Sequence, residues 1–273
     1  MTVSSVRAFS VSERRAFSVS NRRAFSVPEA RLPLGEQDLH LWLCSKEAVV
    51  SSDQFRREVL SHYALVMPGD WRFMLGEHGK PALVNSPRPL DFNLSHSGDW
   101  LACAVTAGTA VGVDVERCDS RRDVMKLARR FFRAAEIAAL EDSPVEQQLE
   151  RFYDYWTLKE AQVKSRGAAL GRELEATGFR LASAVVTGDE GGLMHVAQDP
   201  PDNSHRAHYC LLEPLAGYRL ATCWLLPRSV SSPCLHLYRL HGYAGDGSAK
   251  LAQRLLAVSA PITVFDTGGA NSC

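Results

Sequence analysis

With 273 residues, 45% of them hydrophobic, the chain has material for one large domain or two small ones around a sizeable core. Its 31 Lys and Arg balance 31 Asp and Glu, which argues against nucleic acid or a membrane surface as a bulk electrostatic partner; a charged partner must meet a local patch. The seven cysteines include no C-x-x-C pair, and Cys44, Cys103 and Cys223 sit in apolar runs, as expected of reduced thiols in a cytoplasmic protein rather than a disulfide framework or zinc site.

The chain opens on an eight-residue unit written three times, VRAFSVSE, RRAFSVSN and RRAFSVPE, over 6–29. Eight is neither a helical nor a solenoid period, and the Arg- and Ser-rich composition predicts a disordered tail over 1–30. No apolar segment follows its charges, so it is not a secretory signal. LHLWLC (39–44) alternates like a strand, and SSDQFRREVLSHYAL (51–65) reads as a helix capped by Ser or Asp. WRFMLGEHGKPALV (71–84) predicts two strands around a Gly-bearing turn. DFNLSHSGDWLACAVTAG (91–108) and AVGVDVERC (110–118) then read as two strands in a β-meander or hairpin arrangement. RRDVMKLARRFFRAAEIAALED (121–142) is helical in period, and a second helix runs from VEQQLERFYDYW to Gly167. GFRLASAVV, LMHVAQ, HYCLLEP and YRLATCWLL look like antiparallel strands, and GSAKLAQRLLAVSA (247–260) predicts an amphipathic helix. Grouped strands and helices, without strict βαβ alternation, give an α+β fold class. No apolar run approaches the ~20 residues that span a bilayer.

Three constellations have residue types suited to chemistry. In the strand VGVDVE, Val111, Val113 and Val115 share one face while Gly112, Asp114 and Glu116 share the other. Its two carboxylates, ~7 Å apart along the backbone, can converge on one ion such as magnesium; a solvated sheet face gives the same pattern. In WTLKEAQVK, Glu160 and Lys164 stand at i,i+4, with Lys159 to the side. They are either a surface ion pair or an acid for metal or proton transfer beside phosphate-binding ammoniums. In FNLSHSGDW, Ser95, His96 and Ser97 lie where a strand meets a turn and offer donors to an anion, although no G-x-S-x-G elbow makes a hydrolase of them.

HGKP, FNLSHS, VGVDVE, ARRFFRAAEIAAL and WTLKEAQVKSRGAAL follow one another in the order found in the 4′-phosphopantetheinyl transferases of the large, surfactin-type group, which the chain resembles from about Arg31 to Arg228. The resemblance implies a monomer of two similar α+β lobes, over 31–112 and 113–228, with coenzyme A and Mg²⁺ between them and 229–273 as an extension. It implies that Asp114, Glu116 and Glu160 hold the metal, and that Ser95, His96, Lys159 and Lys164 touch the coenzyme's phosphates. Lys80 and Pro81 would lie near its adenosine end. The implied reaction transfers 4′-phosphopantetheine to a serine of an apo acyl or peptidyl carrier protein and releases adenosine 3′,5′-bisphosphate. Glu160 would be the base that takes the serine proton, with Lys164 assisting.

Carrier proteins of this kind are acidic, and Arg122, Lys126, Arg129 and Arg133 at i, i+4, i+7, i+11 of the helix expected over 121–142 would form a basic docking stripe. The chain departs from the family between LHLWLC and LSHYAL, where only SKEAVVSSDQFRREV remains and Arg56 and Arg57 are the available basic residues. That shortening keeps open an alternative reading as a non-catalytic module that binds carrier protein or coenzyme A.

Overall fold

The computed structural model describes residues 31–49, 51–183, 194–200, 206–227, 233–240, 254–258 and 263–269. The repeats at 6–29 lie outside the described residues. Two sheets organise the rest. The first has the order β13-β11-β1-β5-β4, built from β1 (Asp38–Ser45), β4 (Asp91–Ser97), β5 (Trp100–Thr106), β11 (Cys234–Arg239) and β13 (Thr263–Gly269). The second runs β6-β10-β9-β12-β8-β7, from β6 (Val111–Arg117), β7 (Gly178–Ser183), β8 (Met194–Asp199), β9 (Arg206–Glu213), β10 (Tyr218–Leu226) and β12 (Arg254–Val258). A small ribbon pairs β2 (Phe73–Leu75) with β3 (Pro81–Leu83). Most ladders are antiparallel; β1–β11, β11–β13 and β8–β12 are parallel.

Period-two alternation sorts the side chains into layers. Leu39, Leu41 and Leu43 of β1 meet Val111, Val113 and Val115 of β6 and Leu220 and Trp224 of β10 in one cluster. On the other face of the first sheet, Trp42 and Cys44 pack against Phe55, Val59 and Tyr63 around α1 (Ser52–Ser61). On the other face of the second sheet, Leu211, Ala221 and Cys223 receive Phe152, Tyr155, Leu158 and Ala161 of α4 (Val145–Arg166). Each sheet thus carries helices on the face turned away from the shared apolar cluster, in an α+β fold.

Several expectations are corrected. Residues 91–108 form a hairpin of two strands, β4 and β5, turning at Gly98, whose φ of 53° suits a glycine. The helix expected over 121–142 is two, α2 (Val124–Phe131) and α3 (Ala134–Glu141), because Phe132 and Arg133 are extended between them. Phe132 turns into the core, stacked on Phe152. The four basic residues therefore do not line one helix. Arg122 precedes α2, and Arg133 caps α3 while its Nη1 donates to the Asp199 carbonyl at 2.6 Å. Residues 254–258 of the expected C-terminal helix are strand β12. The α4 helix ends as expected at Gly167, which adopts a left-handed conformation at φ 61°.

Candidate active site

The site is built where the edge strand of one sheet meets the edge strand of the other. On β4 the alternation Asp91, Asn93, Ser95, Ser97 directs polar side chains at β6. The free edge of β6 donates to them in turn: Val111 N–H to Asp91 Oδ2 at 3.1 Å, Val113 to Asn93 Oδ1 at 2.9 Å, Val115 to Ser95 Oγ at 3.3 Å and Arg117 to Ser97 Oγ at 3.1 Å. Side chains here do what a neighbouring strand's carbonyls do in a ladder, so no buried amide on that edge is orphaned.

The same hydroxyls aim the acids. Ser95 Oγ donates to Asp114 Oδ1 at 2.8 Å, and Ser97 Oγ donates to Glu116 Oε2 at 2.7 Å. From the opposite side α4 lies directly on β6. A Cβ added at Gly112 would stand 1.9 Å from the Ala161 carbonyl oxygen, so the space beside Gly112 is filled by the helix backbone. That contact brings Glu160 to the two strand acids. Ligand oxygens of Asp114, Glu116 and Glu160 all lie within 4.8 Å of one another.

Lys164 is the cation inside this cluster, with its Nζ 2.5 Å from Asp114 Oδ1, 3.3 Å from Glu160 Oε2 and 3.2 Å from Ser95 Oγ. Burial raises the pKa of Asp114 despite Lys164. Burial and the Asp114 charge raise that of Glu116, and the same two causes take Glu160 to about 7. Burial opposes the Lys164 ammonium, but Asp114 and Glu160 outweigh it and hold its pKa up. With all three carboxylates ionised, they and the ammonium would sum to a net charge of −2, which one divalent cation would cancel. Asp114 Oδ2 is buried and has no hydrogen-bond partner among the described residues, an open ligand position that fits such an ion. Exposure grows across the site: 2% for the Asp114 side chain, 13% for Glu160 and 24% for Lys164, which sets Glu160 and Lys164 nearer the mouth.

The other residues singled out from sequence separate. Lys159 points away from the acids, because one residue along a helix turns ~100°. It is buried, paired with Glu136 Oε2 at 2.8 Å, and donates to the carbonyls of Leu174 and Thr177. Its ammonium is an internal tie beneath α5 (Leu170–Ala176), out of reach of a phosphate in the cleft. Ser95 is likewise buried and fully engaged, as donor to Asp114 and acceptor from Val115 and Lys164. His96 leaves the opposite face of β4, exposed, and with Lys46, Val49, Ser51, Ser52 and Leu101 lines a depression at the start of α1. Lys80 donates to Asp91 Oδ2 at 2.9 Å and to the Val111 carbonyl at 3.0 Å, joining the loop after β2 to β4 and β6; Pro81 opens β3 beside it. Arg56 and Arg57 both pair with Asp53, and Arg57 also donates to the carbonyls of Pro68 and Trp71, so they tie α1 to the following turn. Sequence reasoning missed Asn93 as a residue that holds β6 and Ser97 as one that holds Glu116. Their signal was the polar half of the alternation in DFNLSHS.

A family model described as the 4′-phosphopantetheinyl transferase superfamily matches residues 110–223, which hold all three acids and Lys164. The 4′-phosphopantetheinyl transferase Sfp of Bacillus subtilis (strain 168) is 30% identical over 171 residues, covering 63% of this chain and 70% of that protein. The 4′-phosphopantetheinyl transferase AcpT of Escherichia coli (strain K12) is 41% identical over 113 residues, covering 41% of this chain and 56% of that protein. A crystal structure of a holo-(acyl-carrier-protein) synthase from Bacillus anthracis str. Ames in complex with CoA (3′,5′-ADP) matches at 18% identity with a TM-score of 0.33, covering 43% of this chain and 95% of that chain. Among the described residues no helix is long and apolar enough to cross a membrane.

Proposed function

Because the chain belongs to the 4′-phosphopantetheinyl transferase superfamily, we propose that it transfers the 4′-phosphopantetheine of coenzyme A to a serine of an apo acyl or peptidyl carrier protein. The serine oxygen forms a new bond to the phosphorus that carries the pantetheine arm. The pyrophosphate bond of coenzyme A breaks, adenosine 3′,5′-bisphosphate leaves with that electron pair, and the serine proton goes to a base. The observation that carries the reading is the convergence of Asp114, Glu116 and Glu160 within 4.8 Å around an unpartnered Asp114 oxygen.

Asp114, Glu116 and Glu160 would hold Mg²⁺, whose charge, when bound, neutralises the pyrophosphate oxygens. Ser95 and Ser97 keep Asp114 and Glu116 turned toward the cleft. Lys164, more exposed than Asp114 and Glu160, releases both and turns its ammonium to a phosphate oxygen. Glu160 sits near the mouth, where its carboxylate could take the serine proton as well as share in holding the ion. His96 with Lys46 and the capping Ser51 offers a second, polar depression for the coenzyme's remaining phosphate.

Exposed Lys126 and Arg129 on α2, with Arg121 and Arg122 just before it, present a basic surface to an acidic carrier. Arg133 belongs to the interior tie with Asp199 and is left out of that surface. The oligomeric state in this reading is a monomer, with Asp114, Glu116, Glu160 and Lys164 supplied by a single chain. Six described cysteines are free thiols, which accords with work in the cytoplasm.

The test is incubation with apo carrier protein, coenzyme A and Mg²⁺, followed by mass spectrometry of the intact carrier. One phosphopantetheine adduct, lost in Glu160→Gln and in Lys164→Ala, supports the assignment. Carrier or coenzyme binding without an adduct at any enzyme concentration defeats it and leaves a non-catalytic module.

A further inference from the structure

A second cluster of metal-ligating side chains lies in the other sheet, far from the acids in connectivity. Asp38 and His40 stand at i,i+2 on β1 and share a face of the strand. His236 on β11 is the direct register partner of His40 across the parallel β1–β11 pair. The two imidazoles lie with ring centroids 4.7 Å apart, and Asp38 Oδ1 is 3.5 Å from His236 Nε2. Each of the three offers a ligand atom, and those atoms lie within 4.8 Å of one another.

The state of His40 is the second observation. It is 1% exposed, yet its Nε2 has no hydrogen-bond partner among the described residues. Its Nδ1 is 2.9 Å from the Tyr63 hydroxyl, which also accepts Trp42 Nε1–H at 2.7 Å. A buried imidazole nitrogen without a partner is costly unless something supplies one. Asp38 is fixed in turn, its Oδ2 accepting Gly35 N–H at 2.7 Å.

We propose that Asp38, His40 and His236 form a site for a divalent transition-metal ion of the zinc type, separate from the acid cluster. Two imidazoles and one carboxylate are the ligand set that suits Zn²⁺, Co²⁺ or Fe²⁺, whereas the all-carboxylate cluster on β6 and α4 suits Mg²⁺. The ion takes the unpartnered His40 Nε2 and selects the tautomer with its proton on Nδ1, donated to the Tyr63 oxygen, as an outer hydrogen bond orients a ligand histidine. Arg88 is a repelling charge nearby, and Asp38 is the carboxylate that offsets it. Three protein ligands leave at least one position for water. Bound there, the ion clips β11 to β1 and so fastens together two strands nearly two hundred residues apart.

The experiment uses the full chain, stripped of metal, with Mg²⁺ in large excess to fill the acid cluster. Co²⁺ is then titrated and its visible d–d bands recorded; Zn²⁺ retained after dialysis is counted by elemental analysis. The expected result is one equivalent of each, with the band intensity of a low-coordinate nitrogen-containing site. Binding falls at least tenfold in His236→Asn and Asp38→Asn, which spare the core position of His40, and is unchanged in Glu160→Gln. The melting temperature of the wild-type chain rises with Zn²⁺, and that of His236→Asn does not. No retained ion, or one lost in Glu160→Gln and kept in His236→Asn, overturns the proposal. Loss of phosphopantetheine transfer alone leaves it standing, because it does not rest on that reading.

Discussion

Gly112→Ala probes whether the close packing of α4 on β6 assembles the acids. The new methyl would stand 1.9 Å from the Ala161 oxygen and 2.5 Å from the Ser165 nitrogen, both backbone atoms that no rotamer change can move aside. Since Cβ contacts below 3.0 Å are essentially not seen, the helix must retreat from the strand by about 1 Å or more, a shift of the kind overpacking forces. Overpacking of that sort costs about 1–3 kcal/mol. For a chain of this size it lowers Tm by roughly 2–12 °C. The larger consequence is geometric. Glu160 rides on α4 while Asp114 and Glu116 ride on β6, so the retreat widens the cluster, and a misplacement of about 1 Å can cost on the order of 10²-fold in rate. Thermal unfolding and the rate of carrier labelling over a range of Mg²⁺ measure both effects. A variant with the Tm and rate of the parent would mean that the contact is not as tight as described. A lower Tm with full turnover per folded molecule would mean that the acids do not depend on it.

The two helix lysines should part company under mutation. Lys159→Met leaves Glu136 buried without its partner and should cost about 3–5 kcal/mol in urea unfolding, partly recovered by adding Glu136→Gln, with turnover per folded molecule little changed. A large loss of turnover at unchanged stability would show that Lys159 does reach the substrate. Ser97→Ala removes the donor that orients Glu116 and the acceptor for Arg117 N–H. It should raise the Mg²⁺ concentration for half-maximal labelling by about 10- to 100-fold, the usual reach of residues that orient ligands; an unchanged Mg²⁺ curve contradicts this. Burial lowers the pKa of His208 to about 4 from an ordinary 6.5, so between these values the unfolded chain binds a proton that the folded chain does not. Its contribution is therefore fully present above pH 6.5 and lost as the pH falls toward 4. Against the opposing slope of carboxylates with raised pKa, such as Asp154 at about 6, the readout is a difference. His208→Gln should flatten the acid-side loss of stability by about 1.4 kcal/mol per pH unit relative to the parent, and parallel curves would refute it.

Much of the site was legible because its residues obey short-range periods. Alternation put Asp114 and Glu116 on one face of a strand, and the i,i+4 rule put Glu160 with Lys164. The same rule, read strictly, excludes Lys159, whose long stem hid the fact that its direction leads into the core. Ser95 and His96 are adjacent in sequence, yet strand alternation sends them to opposite faces, one to β6 and one to the start of α1. The break between α2 and α3 was hidden because FFR continues a helical apolar pattern; only the core contact of Phe132 shows why the chain extends there. Residues 254–258 carry a helical pattern too, but RLLAV finds a place between β8 and β9, and tertiary pairing overrides local preference.

The partnership of β1 with β11 has a temporal meaning. Leu39, Leu41 and their neighbours are synthesised well before one of their two flanking strands, which lies nearly two hundred residues further on. Until it arrives, the hairpin of β4 and β5 covers one margin of β1 while the other stays bare, an invitation to pair with foreign chains. Loop closure over such a distance makes folding slow, so the nascent protein passes through a long adolescence in which β1 keeps one margin open.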